Sequence, residues 1–113
     1  MVDESRRKAQ LTPSDRERCR DVDGLSVAWL SNMDTWWAVN CLNELIEAEP
    51  AEAWPIILRI VAHSRSNADR AAIAFNLLEP LLDDHGQAFR ELVVVEAARN
   101  AQLRECLDIL ERS

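Results

Sequence analysis

Apolar residues recur every three or four positions along most of this chain, which is the spacing of one face of an α-helix. The clearest stripes lie in residues 34–47, 50–63, 87–99 and 100–113. No segment alternates apolar and polar residues as a half-buried strand would. The pattern predicts an all-α fold: a compact bundle of about six antiparallel helices packed as hairpins, for which a HEAT-like stacking is one geometry.

The first third of the chain predicts an arm followed by helices. Residues 1–11 are polar and are expected to form a flexible N-terminal arm, whereas residues 12–113 are expected to form a single helical domain. Thr12 and Pro13 have the residue types of an N-cap and a first helical position. Because Gly24 interrupts the next apolar stripe, one long helix or two short ones fit residues 12–32 equally well.

Two central segments are apolar on nearly every side, which is typical of buried helices. They are residues 50–63 and 87–99, and we expect both in the middle of the bundle. Pro55 lies inside the first of them. A proline there removes a helical hydrogen bond, so it predicts either a kink or a regular start only at Trp54.

Asn76, Glu79 and Gly86 predict a separate helix between those segments. Asn76 and Glu79 have the spacing of a capping box, and Pro80 would then fall in the opening turn. Gly86 has the position of a C-terminal cap. Asn100 is expected to cap the last helix.

The net charge of −7 lies entirely on residues 24–113, because the basic and acidic residues of the first 23 positions cancel. Nucleic-acid binding needs clustered cations, so these residues are expected to bind no nucleic acid. An acidic surface of this kind favours a partner protein with a basic surface.

The cysteines and the apolar runs suggest a reducing compartment. Cys41 and Cys106 lie on apolar stripes, where cysteine acts as a small hydrophobe, and any pairing among three cysteines, the third being Cys19, leaves one free. The basic N-terminus lacks the apolar stretch of a secretory signal. No apolar run approaches the ~20 residues of a membrane span. We therefore expect a cytoplasmic protein with no membrane association.

Candidate chemistry concentrates in the run from Leu78 to Gly86. Glu79, Asp83, Asp84 and His85 could surround a ligand or an ion, but capping, solvation and helix-end packing account for the same residues. No catalytic string, metal-ligand set or phosphate loop occurs. The sequence therefore predicts no catalytic residues, no metal and no cofactor.

Trp36 is the clearest candidate for partner binding. It falls in line with Asn40, Asn43 and Glu47, which is the polar face of its helix. An indole there either packs beneath the N-terminal arm or stands exposed as a binding anchor.

Several fragments resemble a bacterial family of small helical domains of unknown function. They are Trp37-Ala38, Pro50 followed by Ala53-Trp54, and Leu78-Glu79-x-Leu81-Leu82-x-x-His85-Gly86. The resemblance covers about residues 25–110. Members often carry Gly-Pro before the Leu-Glu pair, where this chain has Asn76-Leu77. The resemblance implies an all-helical bacterial protein and supplies no activity.

Three functions remain open at this point. The first is an acidic protein-binding module that acts without catalysis, for example an inhibitor or immunity-type protein that masks a basic site on a partner. The second is a ligand-binding or enzymatic domain that uses Glu79, Asp83 and His85. The third is a homo-oligomeric structural module.

Overall fold

The computed structural model describes residues 19–30 and 36–112, except for the side chain of Trp36. In chain order the elements are α1 (Val22–Leu30), α2 (Trp36–Ala48), α3 (Pro50–His63), α4 (Asn67–Ile73), a π turn (Ala74–Leu78), α5 (Glu79–Ala97) and α6 (Ala101–Arg112). No strand occurs in this part of the chain, which confirms the predicted all-α fold. The predicted arm and the helix start at Thr12 and Pro13 lie outside the described residues.

A turn at Cys19 and Arg20 precedes α1, so residues 12–32 do not form one continuous helix. Asp21 caps α1, because its Oδ1 accepts a hydrogen bond from the Gly24 N–H at 3.1 Å. A Cβ atom at Gly24 would collide with this carboxylate. Gly24 therefore lies inside α1, and its lack of a Cβ atom leaves room for the Asp21 carboxylate that caps the helix.

Helix α3 is the centre of the bundle, as predicted. It packs against α1, α2, α4 and α6. Its buried residues form one face of the helix: Ala53, Ile56, Ile57, Ile60 and Val61. Pro55, Arg59 and Ala62 on the opposite side are exposed, so the expected burial on nearly every side is wrong. Because the helix begins at Pro50 and continues through the exposed Pro55, the alternative of a regular start only at Trp54 is wrong.

Helix α5 lies at the edge of the bundle, so the prediction that residues 87–99 occupy the middle is wrong. Only one stripe of this segment is buried, formed by Phe89, Val93 and Ala97. Leu92, Val94 and Val95 are 42%, 53% and 55% exposed. An apolar composition on every side predicts burial only if neighbours exist on every side. Among the described elements, α5 packs mainly against α2, the π turn and α6.

No helix break separates α4 from α5, and the capping box at Asn76 and Glu79 is wrong. Asn76 lies within the π turn, where the Glu79 N–H donates to the carbonyl of Ala74, five residues back. Pro80 has no N–H to donate to Asn76, and its ring would crowd that carbonyl. A π turn before the proline accommodates both effects without interrupting the helix.

The predicted helix end near Gly86 is confirmed to within one residue, because two helices meet at a kink inside α5. Gly86 itself does not adopt the left-handed backbone of a C-terminal cap. The irregularity lies one residue earlier, where His85 has φ −133° and ψ 28°. At the next boundary the prediction is confirmed, because Asn100 Oδ1 accepts from the Leu103 N–H at 3.1 Å and caps α6.

Candidate functional site

A groove forms at the corner where α2 meets α3. Glu49 is the single residue between the two helices, so the first turn of α3 follows almost directly on the last turn of α2. The turn before α1 closes the third side. The groove has a volume of about 790 Å³ and is lined by Cys19, Arg20, Val22, Cys41, Glu44, Leu45, Glu47, Ala48, Glu49, Ala51, Glu52, Pro55 and Ile56. We call it the acidic groove.

Four glutamates surround this groove, opposed by Arg20. Glu44 and Glu47 lie near the C-terminal end of α2, which has no basic residue in its last turn. The helix dipole makes that end partly negative, so the charge of Glu47, which lies in the last turn, is unfavourable by roughly 0.3–1 kcal/mol. Residues that break a local rule in this way are commonly kept for function.

Two of the carboxylates are close enough to affect each other. A hydrogen bond to Glu49, followed by the negative charge of Glu49, raises the pKa of the Glu52 carboxyl above its usual value. Negative charge is therefore concentrated at the N-terminal end of α3. A cation placed between these carboxylates would relieve the repulsion.

The floor of the groove is apolar. Val22 and Leu45 are half-buried, Ile56 is nearly buried, and Pro55 is exposed. A groove lined by both carboxylates and apolar side chains suits an arginine or lysine, whose aliphatic stem packs on the apolar residues while the charged head reaches the acids.

A disulfide between Cys19 and Cys41 forms part of the groove wall, with Cα atoms 6.0 Å apart. Cys41 lies on a buried apolar stripe, as predicted, but it is bonded to Cys19 and does not serve only as a small hydrophobe. The two cysteines are 22 positions apart in sequence, and only the packing of the turn before α1 against α2 brings them together. Cys106 is the unpaired cysteine, and burial raises the pKa of its thiol to about 11.

Of the predicted helix face formed by Trp36, Asn40, Asn43 and Glu47, only the C-terminal end reaches this groove. Glu47 lines the groove, whereas Asn40 is half-buried and Asn43 is exposed, and neither lines it. The side chain of Trp36 lies outside the described residues, so its role as an anchor stays a prediction.

The structure does not bring Glu79, Asp83 and His85 into one cavity. Asp83, Asp84 and His85 line a shallow surface depression of about 870 Å³, and Glu79 is not among its lining residues. Both aspartates are exposed. In the described part of the chain no cluster of His, Cys, Asp or Glu side chains could hold a metal ion.

His85 has a structural partner. Its Nε2 lies 2.7 Å from the carbonyl oxygen of Ile46, to which it donates a hydrogen bond. In a continuing helix that carbonyl would accept from the residue four positions later, which is Pro50 and has no N–H. The histidine therefore caps α2 from another helix. The prediction of a capping role within its own helix missed this contact because it spans 39 positions.

Replacing His85 with alanine is expected to lower the free energy of unfolding by about 1–3 kcal/mol, because it leaves a partly buried carbonyl without a donor. Urea unfolding followed by circular dichroism measures the change. His63→Ala is the control, since His63 is exposed and should change stability by less than about 0.5 kcal/mol. Equal effects of the two substitutions would contradict the proposed cap.

None of the described helices combines the length and the apolar character that crossing a membrane requires. No curated protein and no solved structure matches the chain. The model of the Family of unknown function (DUF6869) matches residues 28–110. This match includes α2 to α5 and most of α6, in agreement with the resemblance drawn from the sequence. The chain belongs to this Family of unknown function (DUF6869).

Proposed function

We propose that this chain is a protein-binding module that acts without catalysis and holds a cationic segment of a partner protein in the acidic groove. The observation that carries the proposal is the groove itself: four glutamates around an apolar floor at the corner of α2 and α3. A basic segment of a partner would complement the charge of these carboxylates.

An inhibitor or immunity-type protein in a bacterial cytoplasm is the concrete version of this role. Such a protein would mask a basic site on a toxin or nuclease by covering it with carboxylates. The charge distribution supports this version, because the whole net charge of −7 belongs to the sequence that follows residue 23. Long-range electrostatic attraction between this acidic protein and a basic partner also raises the rate at which they associate.

The enzymatic alternative receives less support, since Glu79 lies apart from the depression that Asp83 and His85 share and His85 already binds Ile46. The homo-oligomeric alternative stays a prediction. The exposed Leu92 and Val95 on one side of α5 are compatible with it.

The proposal is tested by binding of a labelled peptide that alternates arginine with leucine, with a matched peptide of glutamate and leucine as the negative probe. The triple variant Glu47→Gln, Glu49→Gln and Glu52→Gln is expected to bind the arginine peptide about tenfold more weakly. Each exposed ion pair is worth roughly 0.2–1 kcal/mol, and 1.4 kcal/mol is tenfold in affinity. Fluorescence anisotropy at low and high salt measures both affinities.

A control variant with the same change in net charge distinguishes binding in the groove from attraction by the overall negative charge of the protein. Glu79→Gln, Asp83→Asn and Asp84→Asn remove three exposed carboxylates outside the groove. This variant should bind the arginine peptide within about twofold of the unmodified protein. If the two triple variants weaken binding equally, or if salt has no effect, the groove is not the binding site.

A further inference from the structure

We propose that the Cys19–Cys41 disulfide is a redox switch for the acidic groove, so that the oxidised protein binds the cationic segment and the reduced protein binds it weakly. This inference rests on the proposed function of the groove. The observation behind it is the position of the bond: both cysteines line the groove, Cys19 from the turn before α1 and Cys41 from α2.

The bond holds the third wall of the groove in place. Cys41 belongs to α2 and is only 1% exposed, so it is a fixed point in the core. Cys19 lies in a turn outside the helices and is half-buried. In the oxidised protein this turn is tied to α2 and cannot leave the groove. A preorganised wall strengthens binding, because the partner does not have to order it.

Breaking the bond releases the turn without releasing the helix that follows. Leu25 anchors α1 in the core with no exposed surface. Asp21 caps the helix through Gly24, and an ion pair of 2.6 Å joins Asp23 to Arg59 of α3. These contacts do not depend on the disulfide. Reduction is therefore expected to change the groove locally and to leave the bundle folded.

The chemistry is thiol–disulfide exchange with a dithiol reductant. One thiolate of the reductant attacks Sγ of the more exposed Cys19, the Cys19–Cys41 bond breaks, and Cys41 leaves as a thiolate that takes up a proton. The second thiol of the reductant then attacks the mixed disulfide and releases Cys19 as a thiol. The protein gains two electrons and two protons, and the reductant becomes a disulfide.

The third cysteine does not interfere with this exchange. Cys106 is fully buried in α6, and burial keeps its thiol protonated at neutral pH by raising its pKa to about 11. Pairs that form in a reducing cytoplasm are commonly transient or redox-sensing, which agrees with a switch at Cys19 and Cys41.

The test compares the full chain in oxidised and dithiothreitol-treated forms for binding of the arginine–leucine peptide. Mass spectrometry after denaturing alkylation should count one thiol in the first form and three in the second. We expect the reduced form to bind about tenfold more weakly while its far-ultraviolet circular dichroism is unchanged. Cys19→Ser should bind like the reduced form and should not respond to dithiothreitol.

The outcomes separate the switch from the function on which it rests. If the oxidised protein does not bind the peptide, the proposed function fails. If oxidised and reduced forms bind equally, binding in the groove stands and the switch is overturned. Loss of the helical signal on reduction would also overturn the switch, because the bond would then hold the whole fold together.

Discussion

Ile57→Ala is expected to lower the free energy of unfolding by about 2–5 kcal/mol. Ile57 lies in α3, the central helix, and has no exposed surface. Its truncation removes apolar contact area and leaves a cavity, because Ile57 lies in the middle of the buried face of α3, where the interior is closely packed. Urea unfolding followed by circular dichroism measures the loss.

Val94→Ala is the matched control for this substitution. Val94 is also an apolar residue within a helix, but it is 53% exposed on the outer side of α5. Its truncation should change the free energy of unfolding by no more than about 0.5 kcal/mol. If Ile57→Ala and Val94→Ala have similar effects, α3 is not the centre of the core.

Reduction of the Cys19–Cys41 disulfide is expected to lower the free energy of unfolding by about 3 kcal/mol. The bond joins residues 22 positions apart, and in the chain-entropy account it removes conformations from the unfolded state. A folded domain of this size is commonly stable by about 5–15 kcal/mol, so the reduced protein should remain folded. Urea unfolding with and without dithiothreitol measures the difference.

The double variant Cys19→Ser and Cys41→Ser provides the control. It should unfold at lower urea than the oxidised protein, and dithiothreitol should not change its transition. Because serine at position 41 also buries a hydroxyl group, the comparison of oxidised and reduced wild-type protein isolates the bond itself. An unchanged transition on reduction of the wild-type protein would show that the bond contributes nothing to stability.

Most errors of the sequence interpretation concern the segment from Asn76 to Gly86. Asn76, Glu79 and Gly86 each have the residue type of a helix boundary, and a local rule assigns a boundary to each. The structure continues the helix through Asn76 and Glu79, because a π turn accommodates Pro80. Next to Gly86 it places a kink at His85, whose imidazole hydrogen-bonds to α2. Packing across the bundle outweighs caps that are worth about 1 kcal/mol each.

The acidic groove was predicted only in part. The sequence identified Glu47 as a candidate and the excess of acids as a reason to expect a basic partner. Glu44, Glu49 and Glu52 were missed as site residues. The available signal was the concentration of acids at positions 44–52.

By itself, the order of apolar and polar residues determined that the chain is all-α, that α2 and α6 each bury one face, and that α3 is central. These properties follow from periodicity, which is local. Tertiary structure alone decided the pairing of Cys19 with Cys41, the cap that His85 gives to Ile46, and the acidic groove. Each of these joins residues that are distant in sequence or on different helices. Their meeting depends on how the helices pack, and no local pattern encodes it.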